Sequence, residues 1–243
     1  MAKEWFEDWF DTKYYHILYS NRDYNEAENF IDNLLNYLKP NRNDKFLDIA
    51  CGKGRHSVFI NKKGYPVVGY DLSKKSIAAA DKHSKSDLEF YVHDMRQIFR
   101  TNYFDFAVNL FTSFGYFKSS RDELNAILSA AKNLKKNGTL VIDFLNRDKV
   151  ISGLIPNETK TIEGIEFFIS KEIINNQVIK TIEFYEDGKK HKYQESVKLL
   201  SLADFEGYLN KGNLQIKQIF GNYNLDLYSK ESDRLIIIAN KIG

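Results

Sequence analysis

The sequence predicts an α/β protein built on a doubly wound, mostly parallel sheet. From Lys45 onward, short apolar runs alternate with helical segments, at a spacing typical of parallel strands joined by crossover helices. The first run, residues 46–50, leads directly into a turn that contains Gly52 and Gly54, and then into a helix. The 243 residues suffice for one such domain with an added element.

The apolar runs of the alternating region are expected to form five strands, and two more are expected near the C-terminus. Ser73 can cap one of the helices between them, and Asn137-Gly138 marks a break before the fifth strand. The expected strands are 46–50, 67–71, 88–92, 104–110, 139–144, 214–220 and 234–239, and the expected helices are 55–63, 73–80, 126–134 and 202–210.

Residues 1–38 are expected to be helical, with a break at Ser20-Asn21. Aromatic residues recur at helical spacing before the break, and an apolar stripe continues after it until Pro40. We predict that residues 1–40 form a helical lid.

The alternation of strands and helices is interrupted between residues 159 and 200. The joints Asn175-Asn176 and Asp187-Gly188 tolerate the positive φ of tight hairpin turns. They connect three extended runs, at 165–174, 178–186 and 190–200. We therefore predict a small antiparallel β insertion. Its role as a substrate lid or as a dimer surface stays open. The predicted division is a main domain of 41–150 and 201–243 with the insertion at 151–200.

The overall charge is close to neutral, with 35 basic and 33 acidic residues and a formal net charge of +2. Lysine pairs are scattered along the chain, which argues against nucleic acid as a partner. The single cysteine, Cys51, excludes an internal disulfide and a multi-cysteine metal site, and no metal is expected. The sequence lacks a signal-peptide pattern, and no apolar run approaches the roughly 20 residues that span a bilayer. We expect a cytoplasmic monomer or homodimer without a membrane partner.

Three aspartates are expected near the glycine turn, since each lies in or just after one of the first three strands. Asp71 ends the second strand about 19 residues after Gly52, near the ~20 typical of an acid that binds ribose hydroxyls. Asp48 lies inside the first strand, and Asp94 follows the third, where it can accept a hydrogen bond from an adenine amine. The pattern predicts a nucleoside site.

The turn differs from one that binds a dinucleotide. Ser57 stands where the third glycine of a G-x-G-x-x-G turn would be. A carboxylate at Asp48 would repel a pyrophosphate but suits a ligand that carries ammonium and sulfonium charges. A nicotinamide-dependent oxidoreductase is therefore the weakest enzyme interpretation.

In ordered motifs, the chain resembles the class I S-adenosylmethionine-dependent methyltransferases. Ala50 stands where that family usually has glycine. The similar segments are 46–54, 68–73, 93–95, 104–111 and 134–145. The resemblance implies a Rossmann-like, mostly parallel seven-stranded sheet with an antiparallel last strand, and S-adenosylmethionine as the cofactor.

The resemblance also implies roles for individual residues. Asp71 would hold the ribose and Asp94 the adenine amine, while Gly52 and Gly54 would permit contact with the methionine portion. The backbone around residues 109–110 would face the sulfonium. The full set of expected cofactor-binding residues is Asp48, Ala50, Cys51, Gly52, Gly54, Asp71, Leu72, Ser73, His93, Asp94, Met95, Asn109 and Leu110.

The acceptor is expected among the aromatic residues of the N-terminal segment and of residues 111–117. Together with the insertion, these segments resemble small-molecule N-methyltransferases such as those acting on nucleotide-linked amino sugars. We expect methyl transfer by in-line displacement to a small molecule, with an amine as the candidate. Holding the acceptor in line with the methyl group can supply much of the rate acceleration, so no catalytic residue is assigned. His16 is a candidate base. The expected substrate contacts are Tyr14, Tyr15, Tyr19, Arg22, Phe114 and Tyr116.

Two further interpretations stay open. An RNA or protein methyltransferase would show a single basic face and salt-sensitive binding. A protein that binds S-adenosylmethionine without turnover is the other, and an open acceptor pocket would argue against it.

Overall fold

The computed structural model describes residues 9–20 and 24–242, and these residues form two sheets with flanking helices. The strands are β1 Phe46–Ile49, β2 Val67–Asp71, β3 Leu88–Val92, β4 Phe104–Asn109, β5 Leu134–Leu145, β6 Asn157–Ile162, β7 Ile165–Ile174, β8 Gln177–Glu186, β9 Lys189–Lys198, β10 Leu214–Phe220 and β11 Arg234–Lys241. The helices are α1 Lys13–Leu18, α2 Tyr24–Leu38, α3 Arg55–Lys62, α4 Lys74–Ala80, α5 Ser120–Asn133, α6 Arg147–Gly153 and α7 Leu202–Lys211.

The larger sheet has seven strands in the order β10-β11-β5-β4-β1-β2-β3. The five strands β1 to β5 run parallel, and β11 is antiparallel to both β5 and β10. The predicted Rossmann-like sheet with an antiparallel last strand is confirmed. The connections reverse direction at β1, which lies between β2 and β4. In sheets of this kind, ligands bind at the carboxyl ends of the strands beside that reversal.

Helices cover both faces of the larger sheet, and each face has its own apolar core. Ile127 of α5 and Phe205 of α7 pack with Phe144 of β5 on one face. Phe30 of α2 and Ile60 of α3 belong to the core on the other face. The sheet is thus buried on both sides, which explains why its strands are short apolar runs without alternation.

Strand β5 begins earlier than the sequence predicted. Leu134, which we expected at the end of a helix, is the first residue of β5 and pairs with the first residue of β4. The pairing register then shifts, and Asn137 has a φ of 63°. Asn137-Gly138 is therefore an irregularity inside the strand and not a break before it. The polar residues 135–137 carry no strand periodicity, so the sequence did not reveal this first part of β5.

The smaller sheet consists of β6, β7, β8 and β9 in that order, all antiparallel. The antiparallel sheet was predicted, but with three strands. Strand β6 was missed because its sequence, NETKTI, has one large apolar residue and is mostly exposed. The two predicted hairpin joints have positive φ at all four residues, namely Asn175, Asn176, Asp187 and Gly188.

The N-terminal segment, residues 9–20, packs on the smaller sheet. Within it, α1 covers Lys13–Leu18 and is capped by Thr12, and a turn at residues 10–12 interrupts the expected helix. Trp9 and Leu18 are buried in one cluster with Phe167 and Phe184 of the smaller sheet. Within residues 9–20 and 24–242, no helix combines the length and apolar character needed to cross a bilayer.

Candidate active site

A cavity of about 460 Å³ lies at the carboxyl ends of β1 to β4, where the reversal at β1 places it. Residues of the N-terminal segment also line it. Eleven of the thirteen expected cofactor-binding residues line it: Asp48, Ala50, Cys51, Gly52, Asp71, Leu72, Ser73, His93, Asp94, Met95 and Leu110. Gly54 and Asn109 lie outside the lining. The described part of the chain contains no cluster of three or more side chains suited to a metal ion.

The two glycines of the turn after β1 have different functions. Both need left-handed backbone, with φ of 56° at Gly52 and 78° at Gly54. A Cβ on Gly52 would meet no atom within 4 Å, so the main chain is open to a ligand there. A Cβ on Gly54 would lie 2.6 Å from the Phe90 ring. Gly54 therefore permits packing between the start of α3 and β3, and the expectation that it contacts the ligand gains no support.

Asp71, at the end of β2, connects the turn after β1 to the start of α4. Its Oδ2 accepts from the Gly52 amide (2.9 Å) and its Oδ1 from the Ser73 amide (2.8 Å). Burial raises the pKa of this carboxyl, against the effect of these two hydrogen bonds. The Ser73 hydroxyl caps α4 and also donates to Asp11 of the N-terminal segment. The carboxylate is thus held rigidly at the cavity wall.

Asp48 lies at the bottom of the cavity and is 1% exposed. Burial raises its pKa to about 7, and the Asp71 charge adds to the rise, whereas the hydrogen bond from the Ser57 hydroxyl (2.5 Å) opposes it. Ser57, which replaces the third glycine of a dinucleotide turn, therefore has a defined partner. Near neutral pH, Asp48 can gain or lose a proton when a charged ligand binds.

The raised pKa of Asp48 predicts a pH dependence of stability. The folded protein retains this proton up to about pH 7, whereas an unfolded aspartate releases it near pH 4. Its contribution to the free energy of unfolding is therefore fully present below the unfolded pKa and is lost as pH rises through about 7, at roughly 1.4 kcal/mol per unit. Urea unfolding from pH 5 to 8 should show Asp48→Asn gaining stability relative to the wild type. A difference that stays constant with pH would contradict the assignment.

Asp94, after β3, is engaged by Arg96. The Arg96 side chain donates to both carboxylate oxygens (2.6–3.0 Å), and its amide donates to Oδ1 (2.9 Å). Burial raises the pKa of Asp94, but these hydrogen bonds outweigh it and hold the pKa below its ordinary value. Asp94 is therefore an oriented, ionised acceptor beside Met95 in the cavity wall.

Asn109, the last residue of β4, does not face the cavity. Its side-chain amide donates to the Ile49 carbonyl (3.1 Å) and is buried between β4 and β1. Its Oδ1 has no hydrogen-bond partner. The next residue, Leu110, does line the cavity. Asn109 thus fastens the ends of two strands together, and of the two residues only Leu110 borders the ligand space.

The expected substrate contacts separate into two groups. Tyr15, Tyr19 and Tyr116 line the cavity. Tyr14 does not, because its hydroxyl donates to Glu186 and its ring packs on the smaller sheet. Phe114 is also outside the cavity lining. It is 3% exposed and packs against α7. Arg22 lies outside the described residues.

His56 lines the cavity but was not among the expected site residues, whereas Phe111 lines it within the region 111–117 where the acceptor was expected. Their rings are nearly parallel, at 6°, with centroids 4.6 Å apart. Arg55 Nη2 lies 3.0 Å from His56 Nε2, and its guanidinium is 5.3 Å from the Phe111 ring. Each ring lies two residues beyond an expected site residue, Gly54 or Asn109. For His56, that proximity was the one signal in the sequence.

A polar network joins the N-terminal segment to the smaller sheet at the edge of the cavity. The Tyr19 hydroxyl lies 2.8 Å from both carboxylate oxygens of Glu195 and accepts from Lys180 (2.5 Å). Trp9 donates its indole N–H to the same carboxylate (2.6 Å). Burial lowers the pKa of Lys180. Because Tyr19 also lines the cavity, the network fixes one of its walls.

Comparison with known sequences gives one family. Residues 40–198 match the sequence model of a family described as a methyltransferase domain. The ubiquinone biosynthesis O-methyltransferase of Pelagibacter ubique (strain HTCC1062) is 28% identical over 191 residues, which are 77% of this chain and 68% of that protein. The dTDP-3-amino-3,4,6-trideoxy-alpha-D-glucopyranose N,N-dimethyltransferase of Streptomyces venezuelae is 29% identical over 131 residues, 53% of this chain and 54% of that protein.

Comparison with solved structures gives the same fold. The crystal structure of an S-adenosylmethionine-dependent methyltransferase from Clostridium acetobutylicum ATCC 824 superposes with a TM-score of 0.80 at 20% identity. The superposition covers 95% of this chain and 96% of that one, so both sheets have counterparts in one known architecture.

Proposed function

The chain belongs to the S-adenosylmethionine-dependent methyltransferases, and from that premise we propose that it transfers the methyl group to an amine of a small molecule. The observation that carries the proposal is the division of the cavity lining. Its aspartates come from β1, β2 and the end of β3, whereas its tyrosines come from the N-terminal segment and the region after β4, and Phe10 contacts both Tyr15 and Tyr116. We assign the aspartates to the cofactor and the tyrosines to the acceptor.

The side lined by aspartates fits S-adenosylmethionine. Asp71 presents an oriented, desolvated carboxylate for the ribose hydroxyls, and Asp94 presents one for the adenine amine. The open face of Gly52 admits the methionine portion. When bound, the cofactor supplies a methyl group on a cationic sulfur. The buried Asp48 is placed to stabilise positive charge in the cavity by ionising.

The other side fits an amine. Tyr15, Tyr19 and Tyr116 offer aromatic faces and hydroxyls that can align a nitrogen, and cation–π contacts there would contribute roughly 0.5–2 kcal/mol. Burial and the Lys53 charge hold the pKa of His16 below its ordinary value, against the opposing effect of Asp11. A neutral His16 can take up the proton that an amine releases.

The relatives support small acceptors of two kinds. The Streptomyces relative is named for an amino sugar, which supports an amine. The Pelagibacter relative is named an O-methyltransferase, so a hydroxyl is the second candidate. A polymer fits less well, because the N-terminal segment lines the cavity and is fixed to the smaller sheet through Glu195.

The proposal predicts which compounds gain a methyl group. Purified protein is incubated with isotope-labelled S-adenosylmethionine and, separately, glycine, sarcosine, a nucleotide-linked amino sugar, a simple phenol and a metabolite extract. Mass spectrometry should find labelled methyl on nitrogen in the amines or in amines of the extract, and none with Asp71→Ala. Methylation of phenols alone would overturn the amine assignment, and labelled RNA or protein would overturn the small-molecule assignment.

A further inference from the structure

The turn after β4 contains two consecutive residues in the left-handed region. Phe111 has a φ of 56° and Thr112 a φ of 59°. This conformation costs a residue other than glycine about 1–2 kcal/mol, and a β-branched threonine is among the least suited to it. Such strain persists only where surrounding groups hold the backbone in place.

Asp143 of β5 and Arg234 of β11 supply that support. The Asp143 carboxylate accepts a hydrogen bond from the Phe111 amide (2.8 Å), and the Asp143 backbone carbonyl accepts one from the Thr112 amide (3.0 Å). Arg234 donates through Nε to Asp143 (2.8 Å) and through Nη2 to the Thr112 hydroxyl (2.8 Å). The Tyr223 hydroxyl adds a bond to Asp143 (3.2 Å). The two residues of the ion pair therefore make hydrogen bonds to both strained residues.

The ion pair is buried, so its presence needs an explanation. The Asp143 side chain is 0% exposed and that of Arg234 is 19% exposed. Burying two charges is weak support for stability by itself, since desolvation offsets much of their attraction. The hydrogen bonds of the ion pair to the turn explain why charged groups stand at this position, because they fix the geometry of the backbone.

The geometry held in this way determines one wall of the cavity. Phe111 stacks on His56 there, and the Tyr116 hydroxyl donates to the Thr112 carbonyl (2.5 Å). Both aromatic residues line the cavity on the side where the proposed function places the acceptor. The three cofactor-side aspartates come from β1, β2 and the end of β3, whereas this turn follows β4.

We propose that Asp143 and Arg234 are positioning residues, which hold the strained Phe111-Thr112 turn so that Phe111 forms the acceptor wall of the cavity. That this wall faces the acceptor rests on the proposed function. The positioning of the turn by Asp143 and Arg234 does not. Neither residue lines the cavity, so both act through the turn.

The stacking of Phe111 on His56 provides the test. In protein with ¹³C-labelled histidine, the five imidazoles are resolved by NMR, and His56→Gln assigns the His56 signal. A stacked ring displaces that signal upfield. Arg234→Gln should abolish the displacement, whereas affinity for S-adenosylhomocysteine should change by less than about threefold. The double variant Arg234→Gln/Thr112→Gly should restore the displacement, because glycine adopts positive φ without the steric cost.

The matched control is Lys198→Gln, which breaks a second buried ion pair, that of Lys198 with Glu123, neither of which lines the cavity. It should lower stability but leave the His56 signal in place. If Arg234→Gln does not fold, Arg234→Lys keeps the charge but cannot bridge Asp143 and Thr112 together, and it should still reduce the displacement. A His56 signal unaffected by these Arg234 variants, equally affected by the control, or not restored by glycine would overturn the proposal. Failure of amine methylation would leave this result unchanged.

Discussion

Replacing Asp71 with alanine is expected to weaken S-adenosylhomocysteine binding about 100-fold or more, while the protein stays folded. Hydrogen bonds to a charged group contribute about 1.5–3 kcal/mol each, and a carboxylate here can accept two from a ribose. Tenfold in affinity corresponds to about 1.4 kcal/mol. The fold survives because the lost bonds to the Gly52 and Ser73 amides are offset by removing a carboxyl whose pKa burial raises.

Calorimetric titration measures the affinity, and thermal unfolding without ligand measures the fold. Asp105→Ala is the matched control. That aspartate, at the opposite end of β4, also bonds a backbone amide, at Lys45, and pairs with Lys135. Its variant should lose stability but bind S-adenosylhomocysteine as the wild type does. Unchanged binding by Asp71→Ala would show that the nucleoside lies elsewhere in the cavity.

The fold was predictable where burial leaves a pattern and not where it does not. Strands of the larger sheet are covered on both faces, so they are recognisable as isolated apolar runs. Strand β6 is mostly polar and residues 135–137 of β5 are polar, and all of them are at least partly exposed, so no local apolar pattern marks them as strands. Such strands depend on tertiary contacts, which no local pattern records.

The site was predictable where the backbone fixes it. Asp71 ends β2 and Asp94 follows β3, and the topology alone brings them to one cavity. Tertiary packing decided the rest. Tyr14 and Tyr15 are neighbours on one short helix, yet only Tyr15 faces the cavity, because Tyr14 bonds Glu186. The same applies to Phe111, whose direction depends on an ion pair between two neighbouring strands that are distant in sequence.

The second large effect is expected from a pair of glycine substitutions with opposite consequences. Gly54→Ala should lower the free energy of unfolding by about 2–4 kcal/mol, because it combines overpacking with strain at positive φ. The new Cβ would lie 2.6 Å from the Phe90 ring and 3.1 Å from Ala80. Gly52→Ala should lower it by only about 1–2 kcal/mol from backbone strain, since no atom lies within 4 Å of its Cβ.

Affinity for S-adenosylhomocysteine should show the reverse order, with the larger loss in Gly52→Ala and the smaller one in Gly54→Ala. The Cβ of Gly52→Ala projects into the space where the cofactor approaches the main chain, so affinity for S-adenosylhomocysteine should fall at least tenfold. Urea unfolding and calorimetric titration on both variants separate the two effects. Phe90→Leu should recover part of the stability lost in Gly54→Ala and none of the affinity lost in Gly52→Ala. If both alanines instead lowered affinity equally with little loss of stability, Gly54 would be a ligand contact. Its packing against Phe90 of β3 would then not explain why glycine stands at this position.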